Sequence, residues 1–434
     1  MASNPQAVID DRPMSWFQWG TVAIMIGLNA LDGFDVLSIS FASPGIVKAW
    51  GIDRAALGIV LSIELIGMSA GSIILGGLAD RLGRRSTILG CLVVMAIGMF
   101  GASTASSVIA LCGWRLFTGV GIGGMLAATN AAVAECSSAA RRNLAVVLMA
   151  SGYPLGAIVG GSVCAVLLKT HDWPIVFQFG AVVTLLFIPI VLIGAPESIA
   201  FEVQRRRGDA LARINRTLGR MGHPAVEALP EPGAKRPAVP LATLFTPALI
   251  APTLLLTLAY FGHLMTFYFI LKWVPKIVVD MGFAPTAAAG VLVWANIGGV
   301  LGALTLGLFT LRVKVRPLVL VGMALSVAAV SYFGRGQASL GELSLVAAIA
   351  GFCTNSVIVG LYAMLAHLFA TDVRATATGF AIGVGRGGSA LAPALAGFLF
   401  AAGYGLQAVA IAMAMGSAVA FVAILALGRR ASTV

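Results

Sequence analysis

The chain has 434 residues, of which 59% are hydrophobic and only 10% charged, with a mean hydropathy of +0.97. Soluble domains carry about 25% charge, so a soluble fold is excluded. The net charge of +11 does not point to nucleic acid. All Lys and Arg but Arg115 and Arg386 fall in or beside predicted loops, about twenty on the side carrying the termini and six on the other, a bias that topology and anionic lipid explain.

Twelve apolar segments are each long enough to cross a hydrocarbon core of ~30 Å. They cover 17–41, 55–79, 86–104, 108–132, 143–168, 174–195, 248–271, 286–310, 317–334, 342–366, 375–402 and 406–428, and they predict an all-α membrane protein. The first is too long for a secretory signal and lacks an Ala-x-Ala-like exit, so it is expected to be retained. It carries Asp32 and Asp35, three residues apart and hence on one helical face. A carboxylate near the bilayer centre costs roughly 2.5–3.5 kcal/mol on the gentlest scales, so both must look into protein or a wet cavity. Carboxyls change charge state where arginine cannot, and two so close titrate as a pair. Asp32 and Asp35 are therefore candidate proton carriers. Glu64, about nine residues into the second span, is a third. The plainer alternatives are pairing with an Arg on a neighbouring helix and, for Glu64, snorkelling near the outer leaflet.

The second span ends in Gly76-Gly77-Leu78-Ala79-Asp80-Arg81-Leu82-Gly83-Arg84-Arg85. Gly83 permits a tight reversal, Asp80 can cap a helix or pair with Arg, and Arg84 and Arg85 suit an anionic surface. The fourth span contains Arg115, expected to balance Asp32 or Asp35. Gly119, Gly121, Gly123 and Gly124 follow it, as Gly383, Gly385, Gly387 and Gly388 do in the eleventh; such runs let helix backbones approach in lipid. The five cysteines show no metal-ligand spacing and no disulfide is expected.

Residues 196–247 form a polar interruption, so the chain divides into a bundle at 1–195, a linker at 196–247 and a second bundle at 248–434. Within the linker, 201–220 has the pattern of a basic amphipathic surface helix. The halves align at an offset of about 231 residues: Ser43-Pro44-Gly45-Ile46-Val47 answers Val274-Pro275-Lys276-Ile277-Val278, Gly76 and Arg81 answer Gly307 and Arg312, and with one residue of slip Arg142 answers Arg374. That common spacing predicts two parallel six-helix pseudo-repeats, the architecture whose halves rock about a midplane site.

The second half supplies the other candidates. His263, in the seventh span, falls opposite Asp32 under the repeat offset; it can share a proton, or simply be a buried His satisfied by a carbonyl. Tyr260 and Phe267 in the seventh span, Trp294 and Asn296 in the eighth and Tyr362 in the tenth are candidate substrate contacts, against ordinary packing. Arg386 lies about twelve residues into the eleventh span, ~18 Å from its start. It is the candidate for gripping a substrate carboxylate through two parallel hydrogen bonds. The reverse assignment of Arg115 and Arg386, or a structural role for both, stays open.

The loop after the second span resembles the GxLADRxGRR loop of the major facilitator superfamily. Leu31-Asp32-Gly33-Phe34-Asp35 resembles the DGFD signature of that superfamily's aromatic acid:H+ symporter family, as do the run from Arg115 to Gly124 and the segments Arg374–Gly379 and Gly383–Gly388. Pro196-Glu197-Ser198 is shared with sugar porters. The resemblance implies a twelve-helix facilitator fold in a bacterial inner membrane, both termini cytoplasmic, and a monomer that imports a small aromatic carboxylate with protons. No cofactor or metal is implied, the proton being the coupling ion. It also implies a gate latch formed by Asp80, Arg81, Gly83, Arg84 and Arg85, with Glu135, Arg142 and Arg374. Only the first half carries this loop intact, since Leu311 and Lys314 replace the Asp and Gly in the second. Glu64 and His263 depart from the family pattern and leave the substrate open. A symporter for another organic anion such as a sugar acid, or a drug:H+ antiporter, remains the alternative. An intramembrane enzyme would need a metal motif or an elbow Ser, and none is present in the sequence.

Overall fold

In a computed structural model, residues 4–206, 208–229, 240–369 and 371–431 are described, with the side chains of 76, 77, 80, 366, 367, 371, 372, 375 and 429–431 outside that set. Described residues form helices: α1 Pro5–Asp10, α2 Trp16–Trp50, α3 Arg54–Leu82, α4 Arg84–Ser103, α5 Val108–Cys136, α6 Arg142–Leu167, α7 Pro174–Gly194, α8 Ile199–Arg205, α9 Ala210–Arg220, α10 Ile250–Asp280, α11 Pro285–Phe309, α12 Val315–Phe333, α13 Leu340–Leu368, α14 Thr371–Ala401 and α15 Leu406–Ala431, with a 3-10 turn at Leu241–Phe245. Twelve of them, α2–α7 and α10–α15, are long and apolar enough to span a membrane. The even number returns the chain to the face where α2 begins, here the terminal face.

Local chemistry sets the boundaries. Ser15 opens α2 with a reciprocal capping box to Gln18, and Gly51 closes it in the left-handed region that glycine tolerates. Asp53 caps α3. The helices α2 and α10 run about nine residues beyond their predicted ends, through Pro44 and Pro275. Pro44 has no N–H to give Ser40, and the Ser43 hydroxyl donates to that carbonyl instead, at 2.8 Å. The linker is not one helix: α8 ends at Arg206, whose φ of 44° breaks it from α9.

The packing repeats as the sequence does. The pairs α3–α5, α2–α6, α4–α5, α4–α7 and α2–α7 recur as α11–α13, α10–α14, α12–α13, α12–α15 and α10–α15. Across the boundary between halves α3 lies on α14, α6 on α11, and α2 on α10. Glycine makes some of these contacts close. A Cβ on Gly33 would strike the Tyr153 carbonyl of α6, and one on Gly58 would strike the Pro393 carbonyl of α14, so backbone meets backbone with no side chain between. All five cysteines are free.

Candidate functional site

Two polar layers lie between the halves. In the first, Arg386 in the middle of α14 donates to the Ser72 hydroxyl of α3 at 2.7 Å. Tyr260 of α10 packs against the bare backbone of Gly385 beside it. The Tyr260 hydroxyl meets that of Tyr362 on α13 at 2.8 Å, ring centroids 5.7 Å apart. Arg386 is within electrostatic reach of Asp32, Tyr260 and Tyr268. Tyr153 of α6 lies within the same reach of Asp32, and its buried hydroxyl sits beside that of Tyr268. Arg386, Ser72, Tyr153 and Tyr268 are half-buried and Tyr362 is 44% exposed. This layer therefore offers a cation, several hydroxyls and aromatic faces to something approaching between the halves.

The second layer is fully buried. Glu64 on α3 is ion-paired through one oxygen to Arg115 of α5 and through the other to Lys272 of α10, Nζ to Oε2 3.5 Å. Arg115 also donates to the Asp35 carbonyl at 2.8 Å, touches Met99 Sδ at 3.0 Å and lies over the Phe177 ring at 5.3 Å. Lys272 also donates to the Val36 carbonyl of α2. Arg115 thus meets Asp35 through its backbone, with Glu64 as carboxylate partner, where the sequence suggested Asp32 or Asp35. Glu64 is 0% exposed, the reverse of a snorkelled residue. Lys272, counted above as a loop charge, is 0% exposed inside α10. Beyond this layer the face opposite the termini is closed by Arg54–Asp280, a 3.0 Å bridge between halves with Arg54 also over Phe400.

Asp32 and Asp35 are both buried, and among the described residues their four carboxyl oxygens have no hydrogen-bond partner. Asp35 Oδ1 lies at Gly180 of α7, inside the first half, whereas Asp32 lies within reach of Arg386. Buried charge normally carries partners, which sets these two acids apart from Glu64 with its two cations.

Other candidates sit elsewhere. His263 points into the second half, with Nδ1 on Ser417 Oγ at 2.9 Å and Nε2 on the Thr354 carbonyl at 2.8 Å. Both ring nitrogens are engaged and the side chain is fully buried, away from the Arg386 layer. Asn296 is buried and bonds the Leu292 carbonyl of its own helix. Trp294 is 51% exposed, and Phe267 packs edge-on to Tyr268 at 5.4 Å.

At the terminal face Arg84 donates to Glu135 at 2.8 Å and to the Ala79 carbonyl at 3.2 Å. Glu135 accepts from Ser198. Glu197 sits against Gly83, whose φ of 105° and lack of a Cβ admit it, and accepts from the Arg85 N–H at 3.1 Å. Arg81 offers its carbonyl to Arg205 at 2.6 Å. Arg142 pairs with Asp10 of α1, and Arg374 bonds the Phe369 carbonyl in the second half. The Asp80 side chain lies outside the described residues. Loop, Glu135 and linker start thus form one network within the first half. Glu135→Ala is expected to remove the charged hydrogen bond from Arg84, a loss of about 1.5–3 kcal/mol; a thermal unfolding scan of the purified protein should show a lower midpoint, and an unchanged one would remove Glu135 from the network's stability.

Twelve spans in two matching halves around a polar midplane layer define a secondary transporter built on repeats, not an enzyme. The Major Facilitator Superfamily model matches residues 25–304 and 256–433, and the chain belongs to that superfamily, within its aromatic acid:H+ symporter family. The 4-hydroxybenzoate transporter PcaK of Pseudomonas putida is 30% identical over 98% of this chain and 95% of its own length. The 3-(3-hydroxy-phenyl)propionate transporter of Escherichia coli is 31% identical over 95% of each, and the gallate transporter of Pseudomonas putida 29% identical over 97% and 94%. Among solved structures, a D-xylose-proton symporter superposes with a TM-score of 0.72 at 16% identity, covering 94% of this chain and 96% of that one, a likeness of fold.

Proposed function

We propose that this integral membrane protein imports a small aromatic carboxylate together with protons, by alternating access, across a bacterial inner membrane with both termini in the cytoplasm. The carrying observation is the Arg386 layer: a guanidinium at the boundary between halves, bonded to Ser72 and within reach of Tyr260 and Tyr268, with Tyr362 against the first and Tyr153 beside the second. A guanidinium fork matches a carboxylate, tyrosine rings stack on or edge against an aryl group, and the neighbouring Tyr153 and Tyr268 hydroxyls give a ring substituent polar partners. Asp32, within reach of Arg386, links the substrate site to a protonatable group. The names of the full-length relatives support the same substrate class. The positive-inside bias supports the orientation.

Counterflow in proteoliposomes with a panel of radiolabelled benzoates and hydroxybenzoates tests the reading. Exchange of at least one aromatic acid, with alkalinisation of the external medium during net uptake, is the expected result. Acidification outside would reverse the direction of coupling and overturn the import reading.

A further inference from the structure

The fully buried layer has a division that the substrate site does not use. Glu64 and Arg115 belong to the first half, on α3 and α5, and stay together whatever the halves do. Lys272 comes from the second half, on α10, and reaches Glu64 and the Val36 carbonyl only because the face opposite the termini is closed. Opening that face must separate α10 from α2 and α3, and so must withdraw Lys272 from both. We propose that Lys272 is a positioning residue that trades places with a proton on Glu64 once per cycle, so that closure of the outer face is tied to the charge state of Glu64. The proposal rests on the transport reading above and on its orientation, in which the closed face is the exterior.

The exchange balances. With the outer face closed, the Glu64 carboxylate holds two cationic partners, the Arg115 guanidinium and the Lys272 ammonium. Opening breaks the Glu64–Lys272 pair, and Lys272 keeps its three protons and becomes hydrated. A proton from external water binds the carboxylate that Lys272 has left, and Arg115 keeps its bond to the Asp35 carbonyl. Closure brings Lys272 back, the proton leaves Glu64 toward the midplane layer, and the pair reforms. Other titratable groups around Glu64 sit on each neighbouring helix. Arg115 comes from α5; Asp35, also within reach of Arg115, from α2; Tyr153 from α6; and Tyr268 and Lys272 from α10. On α14 the nearest charge is Arg386, placed at Ser72 two turns further along α3; α4 contributes Cys91, near Asp32. Among these described groups Glu64 is the acid ion-paired across the boundary inside this layer.

Spin labels at two exposed positions of the outer face, Ala49→Cys at the end of α2 and Ala284→Cys before α11, placed in a functional background without the five native cysteines, read the gate as a distance. Recorded without any aromatic acid, the parent protein is expected to show a short distance at about pH 8 and a growing share of a long one toward about pH 4, in the ordinary glutamate range, as carboxyl protonation releases Lys272. Glu64→Gln cannot offset two cations and is expected to hold the long distance at both pH values, with proton-driven uptake down at least about tenfold. A parent distance that ignores pH, or a Glu64→Gln protein that closes and titrates like the parent, overturns the proposal. Should Glu64→Gln fail to fold, Glu64→Asp serves: the shorter carboxylate should shift the midpoint of the pH transition, and an unshifted midpoint counts against the proposal. The distance needs no substrate, so failure of the counterflow panel would sink the substrate assignment and leave this result standing.

Discussion

Arg386→Lys is expected to lower substrate affinity by at least about tenfold while leaving the protein folded. The guanidinium presents a planar fork that meets both carboxylate oxygens, whereas an ammonium offers a single point of charge. One charged hydrogen bond is worth about 1.5–3 kcal/mol, and about 1.4 kcal/mol is a factor of ten in binding. Arg386 spends one nitrogen on Ser72, so the arrangement leaves the rest of its fork for a ligand. Lysine at this position keeps the positive charge beside Asp32 and the tyrosines, so a loss of affinity reports the lost geometry and not a lost field. Direct binding to the purified protein, by calorimetry or by a scintillation proximity assay with the best counterflow substrate, is the measurement. Equal affinities in the two proteins would move the carboxylate contact away from Arg386.

The second large effect is expected at Asp32. Asp32→Asn should abolish accumulation against a gradient while counterflow continues. A pH difference of one unit is worth about 1.36 kcal/mol per proton, so each coupled proton supports about tenfold accumulation, and a second proton moving one net charge adds about 2.3 kcal/mol per 100 mV. An amide neither takes up nor releases that proton. It is nearly the same size, and the Asp32 oxygens make no hydrogen bond that the substitution would break, so the fold and the carboxylate grip of Arg386 should persist. Uptake by Asp32→Asn proteoliposomes that still concentrates substrate with the parent pH dependence would shift the carrier role to Asp35 or Glu64. Asp35 differs in its surroundings: its carboxyl lies at Gly180, and Arg115 touches it through the backbone.

The architecture was legible from the sequence because hydropathy and the 231-residue offset are both long-range signals that single substitutions do not erase. The polar layers were only half legible. Arg386, Asp32, Tyr260 and Tyr362 stood out as polar or aromatic groups inside apolar runs. Lys272 did not, since a lysine at the end of an apolar run followed by proline reads as a helix boundary. Only the continuation of α10 through Pro275, and the approach of α2, reveal that it is buried. The offset placed His263 opposite Asp32, but in three dimensions it bonds Ser417 and Thr354 within its own half. Periodicity names the face of a helix only when the neighbours are known, and Trp294 shows the same limit, with half its surface exposed. The linker start was undervalued: Pro196-Glu197-Ser198 is a common motif, yet Glu197 and Ser198 bind the loop at Gly83–Arg85 and Glu135 directly.

The contact at Gly33 bears on how the two acids travel. With the Tyr153 carbonyl set against a residue that has no side chain, α2 and α6 have no compressible layer between them and respond to force as a single stiff beam. Since α6 also leans on α11 of the other half, the stretch of α2 that carries Asp32 and Asp35 is backed directly by a helix lying on that seam.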